Sequence, residues 1–173
     1  TAERVEEGAL PFDKRRHGMI VGSGAVGFII EKAGAPEARG LEPIADLLGV
    51  RFVNSAFHPT RLDVHHIAGE VEKLVAKVEE DFELDRADMA QKMLFVSHET
   101  FTPARGGSAA AEIESLREVF GEQCDEVVIA NTKGFTGHPM AASIEDGLAI
   151  LALQRQVVPP IPNLREPDPD LGN

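Results

Sequence analysis

Two apolar tetrads frame this chain. Met93-Leu94-Phe95-Val96 and Val127-Val128-Ile129-Ala130 are short apolar runs, and each reads as a buried strand. Each is followed by a polar loop and then by apolar residues at helical spacing. After the first run, Ile113, Leu116, Val119 and Phe120 predict a helix, with Ser108 as N-cap and Gly121 as stop signal. After the second, Ala141, Ile144, Leu148, Leu151 and Ala152 predict another. Upstream of both, Ile67, Val71, Leu74, Val75, Val78 and Phe82 share one face of a helix across 64–82. A short linker or turn beginning at 85–88 joins it to the first strand. From residue 64 the order is helix, strand, helix, strand, helix. A possible strand at 157–162 follows, which its prolines confine to an edge. That alternation is an α/β pattern with right-handed crossovers.

The front of the chain is patterned differently. Residues 1–17 are polar and charged and read as a loop with no core of its own. Met19-Ile20-Val21 and Phe28-Ile29-Ile30 predict short strands on either side of a glycine-rich stretch at 22–27. Residues 35–40 predict a turn or one short helical turn, and 44–53 a strand with a bulge or close approach at Gly49. Residues 54–60 read as a loop, and the end of the chain, 166–173, as extended and polar.

A length of 173 residues favours one domain with one sizeable core. The net charge of −12 argues against sequence-independent nucleic-acid binding and against docking on an anionic membrane. No apolar run approaches the roughly 18 residues of a membrane span, and no secretory leader opens the chain. The single cysteine, Cys124, leaves no internal disulfide and no thiolate metal cluster. A cytoplasmic protein without a metal is the expectation.

Three motifs invite chemistry and have a plainer reading. Gly22-x-Gly24-x-x-Gly27 matches the dinucleotide fingerprint, which must open a helix of about ten residues or more. Here Phe28-Ile29-Ile30 follows, and Gly34 and Pro36 end any helix early. A tight turn between packed strands is the simpler role. His58, His65 and His66 suggest a metal, but His65 and His66 are adjacent and point to different sides of a helix. Solvated or capping roles fit better. Cys124 sits among Glu122, Asp125 and Glu126 with no cation to lower its pKa, and reads as non-catalytic.

The fourth feature is harder to set aside. Asn131-Thr132-Lys133-Gly134-Phe135-Thr136-Gly137-His138 and Ser97-His98-Glu99-Thr100-Phe101-Thr102-Pro103 each follow a strand-like run. If the strands are parallel and adjacent, both loops open on one side of the sheet, where ligands collect in α/β folds. Neutral imidazoles there can donate hydrogen bonds to a developing oxyanion or enolate. Lys133 would disfavour the imidazolium form and could hold a carboxylate that orients one ring. The combination suits carbonyl chemistry at a thioester.

These motifs resemble those of the condensing enzymes, the β-ketoacyl synthases of fatty acid and polyketide synthesis. Residues 11–25 are similar to the family's P-F-D-x-x-R-D-G-F-V-x-G-E-G-A, 98–103 to H-G-T-x-T-P, and 132–138 to T-K-S-x-x-G-H. Residues 157–164 and 167–169 resemble V-V-P-P-T-x-N-L and P-D-P. The resemblance implies a thiolase-like fold of layered α-β-α-β-α type, incomplete here and mainly its C-terminal half. Residues 1–42 would close the N-terminal half; residues 43–173 would form the C-terminal half without its last strands.

It further implies decarboxylative Claisen condensation of acyl and malonyl thioesters by a cysteine and two histidines. His98 and His138 match the histidines, and Lys133 matches their supporting lysine. Thr100, Thr102 and Phe135, in the same motifs, are expected to bind substrate. No cofactor is implied beyond phosphopantetheine thioesters. The implied partners are an acyl carrier protein, the rest of the ketosynthase and a second copy in a homodimer. The family's nucleophile precedes P-F-D, so this chain alone is expected to be inactive. Departures are His17 for Asp, Ser23 for Glu, and Glu99 for Gly, the last expected to alter the loop or its pKa. The lysine's glutamate partner in the family falls further along the last helix than Glu145. Two other readings remain: a non-catalytic carrier-protein or subunit-interaction module, and a dinucleotide-binding domain.

Overall fold

The computed structural model describes residues 3–58, 61–102, 107–138 and 144–172. In chain order it contains α1 (Val5–Gly8), α2 (Val64–Phe82), α3 (Arg86–Lys92), β1 (Leu94–Val96), α4 (Ser108–Phe120), β2 (Val128–Ala130), α5 (Lys133–Thr136) and α6 (Ile144–Arg155). Tight 3-10 turns cover Glu37–Arg39, Gly121–Glu126 and Pro169–Leu171. Among the described residues no helix is long and apolar enough to cross a membrane.

The two strands are parallel neighbours, with Leu94 opposite Val128, Phe95 opposite Ile129 and Val96 opposite Ala130. Their ladder extends one step at each end: Val128 N–H donates to Met93 O at 3.2 Å, and Ser97 N–H to Ala130 O at 2.8 Å. α2 packs along α4, and α6 approaches β1.

α2 forms where the periodicity places it. Asp63 accepts the His66 amide at 3.1 Å as N-cap, and Ala68, Val75 and Val78 are buried. Val75, Ala90, Leu116, Val119 and Phe120 form the main core, against which Phe95 and Ile129 of the sheet pack. Leu116 and Phe120 are almost wholly buried, and each contributes roughly 1.5–3 kcal/mol of burial. α4 starts at Ser108 itself. Gly107 takes the N-cap position, and Gly121 ends the helix at φ 55°.

Four expectations are corrected. The linker after α2 is a helix, α3, whose cap Asp85 accepts the Asp88 amide at 3.1 Å; the cap pair is present in the sequence but its apolar face is short. The opening residues do have a core. Ala9, Leu10 and Phe12 are buried, and Phe12 packs with Ala109 and Leu171. The buried Asp13 carboxylate accepts the amides of Arg165 and Glu166 at 3.0 Å each. Those partners lie some 150 positions away, so no local pattern announces them. For the same reason the end of the chain is not simply extended: it turns at 169–171 and buries Leu171.

Finally, the strands expected at 28–30, 44–53 and 157–162 are absent, and at 19–21 only Val21 makes an isolated parallel bridge, to His138. Ile29 and Phe52 are 92% and 91% exposed. A strand requires a neighbour to take its hydrogen bonds, and among the described residues these segments have none. Gly49 does mark a close approach, since a Cβ there would lie 2.9 Å from the Leu74 side chain.

Candidate active site

Adjacent parallel strands send their carboxyl ends to one edge of the sheet. Val96 leads into Ser97 and His98, while Ala130 leads into Asn131 and the single turn α5, with His138 just beyond. The His98 and His138 rings meet edge to face, their centroids 5.0 Å apart and their planes at 83°. At that spacing both rings can reach one small oxygen atom with hydrogen bonds of about 3 Å.

His138 is held by its backbone. Its N–H donates to Ile20 O at 2.7 Å, and its carbonyl accepts the Gly22 amide at 2.9 Å. The close approach needs Gly22, because a Cβ there would lie 1.9 Å from the Thr136 carbonyl oxygen. Of the fingerprint glycines, Gly22 therefore serves the His138 loop, Gly24 lies against the Ile144 side chain and Gly27 meets nothing within 4 Å. No helix follows Gly27, where residues 28–32 lack regular structure, so the dinucleotide reading lacks the helix N-terminus it requires.

Lys133 is 1% exposed. Its Nζ lies 3.0 Å from Glu145 Oε1 on α6 and donates to Ser97 O at 3.4 Å, next to His98. The lysine's partner in this chain is thus Glu145, although the family pattern puts its glutamate further along the helix. Burial raises Glu145, but its own backbone amide and Lys133 outweigh that and hold it below the ordinary carboxylate value. His98 has an exposed edge, yet desolvation of the ring, followed by Lys133 and His138, pushes its pKa down against the opposing pull of Glu145. The neutral imidazole is favoured.

The chain is similar to known proteins along most of its length. Residues 88–165 match the family model "Beta-ketoacyl synthase, C-terminal domain". The chain is 29% identical over 98% of its length to 3-oxoacyl-[acyl-carrier-protein] synthase 2 of Vibrio harveyi, covering 40% of that protein. It superposes on the ishigamide ketosynthase/chain length factor with a TM-score of 0.78 at 26% identity, covering 99% of this chain and 39% of that one. A type II polyketide ketosynthase in complex with its acyl-carrier protein gives 0.77 at 26% identity, with 99% and 40% covered. The chain is thus similar to the β-ketoacyl synthases over nearly its whole length. Its fold is thiolase-like, and it spans about two-fifths of the length of the relatives it matches.

Against the β-ketoacyl synthase pattern, Glu99 is the most consequential departure. Its side chain is fully buried. Oε1 accepts the Phe101 amide at 2.9 Å and lies 3.7 Å from Arg16 Nε, while Oε2 has no partner. Burial pushes its pKa up to about 7, against the Phe101 amide and Arg16. Phe101 sits at φ 66° with no exposure, a left-handed conformation costly for an aromatic residue. The turn is held by Glu99, by the Gly18 amide on Phe101 O at 3.2 Å and by Arg16 Nε on Thr102 O at 3.1 Å. His17 and Ser23 are exposed, and His17 Nδ1 lies 2.9 Å from Arg15 O.

Sequence reasoning missed the residues under the histidines. Glu112 of α4 accepts Ser97 Oγ at 2.5 Å and the His98 amide at 2.7 Å; burial raises its pKa despite both bonds and Lys133. Asn131, with no exposure, bonds both loops. Their local signals were slight: Glu112 falls between the apolar Ala111 and Ile113, and Asn131 directly follows the apolar run of β2. Thr100 is partly buried, Thr102 gives its carbonyl to Arg16, and Phe135 is 65% exposed on α5.

The remaining candidates lie elsewhere. Cys124 precedes β2, at the amino end of the strands and away from the histidines. It packs against the main core, and burial raises its thiol. His65 is exposed, 3.2 Å from Glu118, and the His66 amide is capped by Asp63. Among the described residues no group of three or more His, Cys, Asp or Glu could hold a metal ion.

Proposed function

We propose that this chain supplies the His98–His138–Lys133 portion of a 3-oxoacyl-[acyl-carrier-protein] synthase that performs decarboxylative Claisen condensation. The observation that carries the reading is the pair of imidazoles 5.0 Å apart at neighbouring parallel strand ends, with the buried Lys133–Glu145 pair beneath them. In this reading the two rings donate N–H groups to the thioester oxygen of a malonyl substrate. The bond to its carboxylate breaks, carbon dioxide leaves, and the electron pair passes to the enolate oxygen they stabilise. The enolate carbon attacks an acyl-cysteine, the carbon–carbon bond forms, and the thiolate leaves. Desolvation of the ring, and after it Lys133, disfavours the imidazolium at His98, so the ring remains a hydrogen-bond donor of neutral charge.

Cys124 lies at the wrong end of the strands for this, so the proposed nucleophile is on another stretch of polypeptide. Residues 1–42 are proposed to close the half that carries it, and 43–173 to form the half described here. The proposed substrates are phosphopantetheine thioesters on an acyl carrier protein, with Thr100, Thr102 and Phe135 along their path and no metal or further cofactor. The carrier protein is suggested by the relative named as a complex with one. A homodimeric synthase in the cytoplasm completes the proposal.

The test is carbon dioxide release from malonyl thioester by a synthase polypeptide that joins this chain to the cysteine-bearing half. His98→Ala and His138→Ala should each lower the rate roughly 10²-fold or more, the scale of losing one oxyanion donor. Unchanged decarboxylation in either variant would sink the reading. The 173-residue chain alone should yield no 3-oxoacyl product.

A further inference from the structure

Where β1 and β2 end, the backbone ladder stops. Its last rung is the Ser97 amide on Ala130 O. Beyond it, among the described residues, no backbone bond joins the His98 turn to the Lys133 turn. One side chain takes over. Asn131 Nδ2 donates to Glu99 O at 3.0 Å, and Asn131 Oδ1 accepts the Lys133 amide at 2.9 Å. The amide is 0% exposed, so water cannot replace either bond.

We propose that Asn131 is a positioning residue that straps the His98 turn to the Lys133 turn and sets the separation of the two. The proposal rests on the site reading above. The residue type follows from the bonds: one end must donate to a carbonyl and the other must accept from an N–H. A primary amide does both in one plane. A carboxylate of the same shape has no donor for Glu99 O, and an alanine leaves both backbone groups buried and unpaired. The remaining direct link, Lys133 Nζ to Ser97 O, is 3.4 Å long and borne by a flexible chain.

The strap has a readout that bulk stability does not share. After desolvation, Lys133 and His138 are what hold the His98 imidazolium off, and Glu145 opposes them. Separating the turns weakens the Lys133 contribution, so the ring titrates higher.

The experiment is an NMR titration of the ring signals in the 173-residue chain, with His98 assigned by its loss in His98→Gln. Asn131→Ala should raise the His98 midpoint by about 0.5 unit or more, roughly threefold in protonation. It should also speed exchange of the Lys133 amide about tenfold. Asn131→Ser keeps a polar group too short to span both turns, and should move His98 the same way if the alanine variant does not fold. Ser115→Ala deletes another buried hydrogen bond, to Ala111 O at 2.6 Å within α4, and should leave His98 unmoved. A lowered melting temperature with an unchanged His98 midpoint in the folded Asn131 variant would reduce the residue to an ordinary packing role. So would an equal shift in Ser115→Ala. No turnover is measured, so failure of the condensation reading would leave this result standing, and the reverse.

Discussion

Lys133 and Glu145 face each other across 3.0 Å beneath the histidine pair, the lysine only 1% exposed. A lysine is rarely buried without a matched anion, because removing its charge from water is costly. Here the anion comes from the first turn of α6, where the helix dipole also favours a carboxylate.

Lys133→Met should therefore destabilise the chain by roughly 3 kcal/mol, since Glu145 loses its partner in a largely buried place. Its second effect is on His98. Desolvation would still depress that ring, but the nearby cation would be gone, so its titration midpoint should rise. Denaturant unfolding and ring NMR measure the two. A His98 midpoint that stays or falls would contradict the electrostatic role of Lys133.

Glu99 makes stability depend on pH near neutrality. Its folded pKa of about 7 lies above the ordinary glutamate value of 4.5. The folded state thus holds the proton more tightly than the unfolded chain. The contribution is fully present below about 4.5 and is lost as pH rises through about 7. Glu99→Gln should be as stable as the parent in mild acid and more stable at pH 8, by about 2–3 kcal/mol. Unfolding free energies across that range decide it. Equal pH slopes in the two proteins would place the ionisation elsewhere.

Gly22→Ala drives a Cβ to 1.9 Å from the Thr136 carbonyl. The contact is backbone, so the turn before His138 must move. A loss of about 1–3 kcal/mol is expected, with displaced His138 ring signals. Gly18→Ala meets nothing within 4 Å and should cost under about 0.5 kcal/mol.

The stretch from Met19 to Phe57 leaves many large apolar side chains in solvent, with Ile29, Ile30, Phe52 and Phe57 at 92%, 73%, 91% and 60% exposure. Such a surface, with unpaired backbone groups, favours association. The chain should self-associate in light scattering at working concentration, and Ile29→Lys with Phe52→Lys should reduce it. A monodisperse monomer of the unsubstituted chain would contradict this.

Local pattern was enough for much of the frame. Period 3.6 placed α2, and the two apolar tetrads placed β1 and β2, because burial of one face or of a whole run is written into consecutive residues. It also put a histidine beyond each strand. What no local pattern contained was pairing. The sequence could not tell that Asp13 holds amides at 165 and 166, that Asn131 bridges two turns, or that Glu145 meets Lys133. Nor could it tell that 28–30 and 44–53 are not strands in this chain, since strand-forming residues still need a neighbour. The 5.0 Å meeting of His98 and His138 depends on β1 and β2 being parallel and adjacent. That choice is made by hydrogen bonds between segments far apart in the chain, and only the tertiary structure makes it.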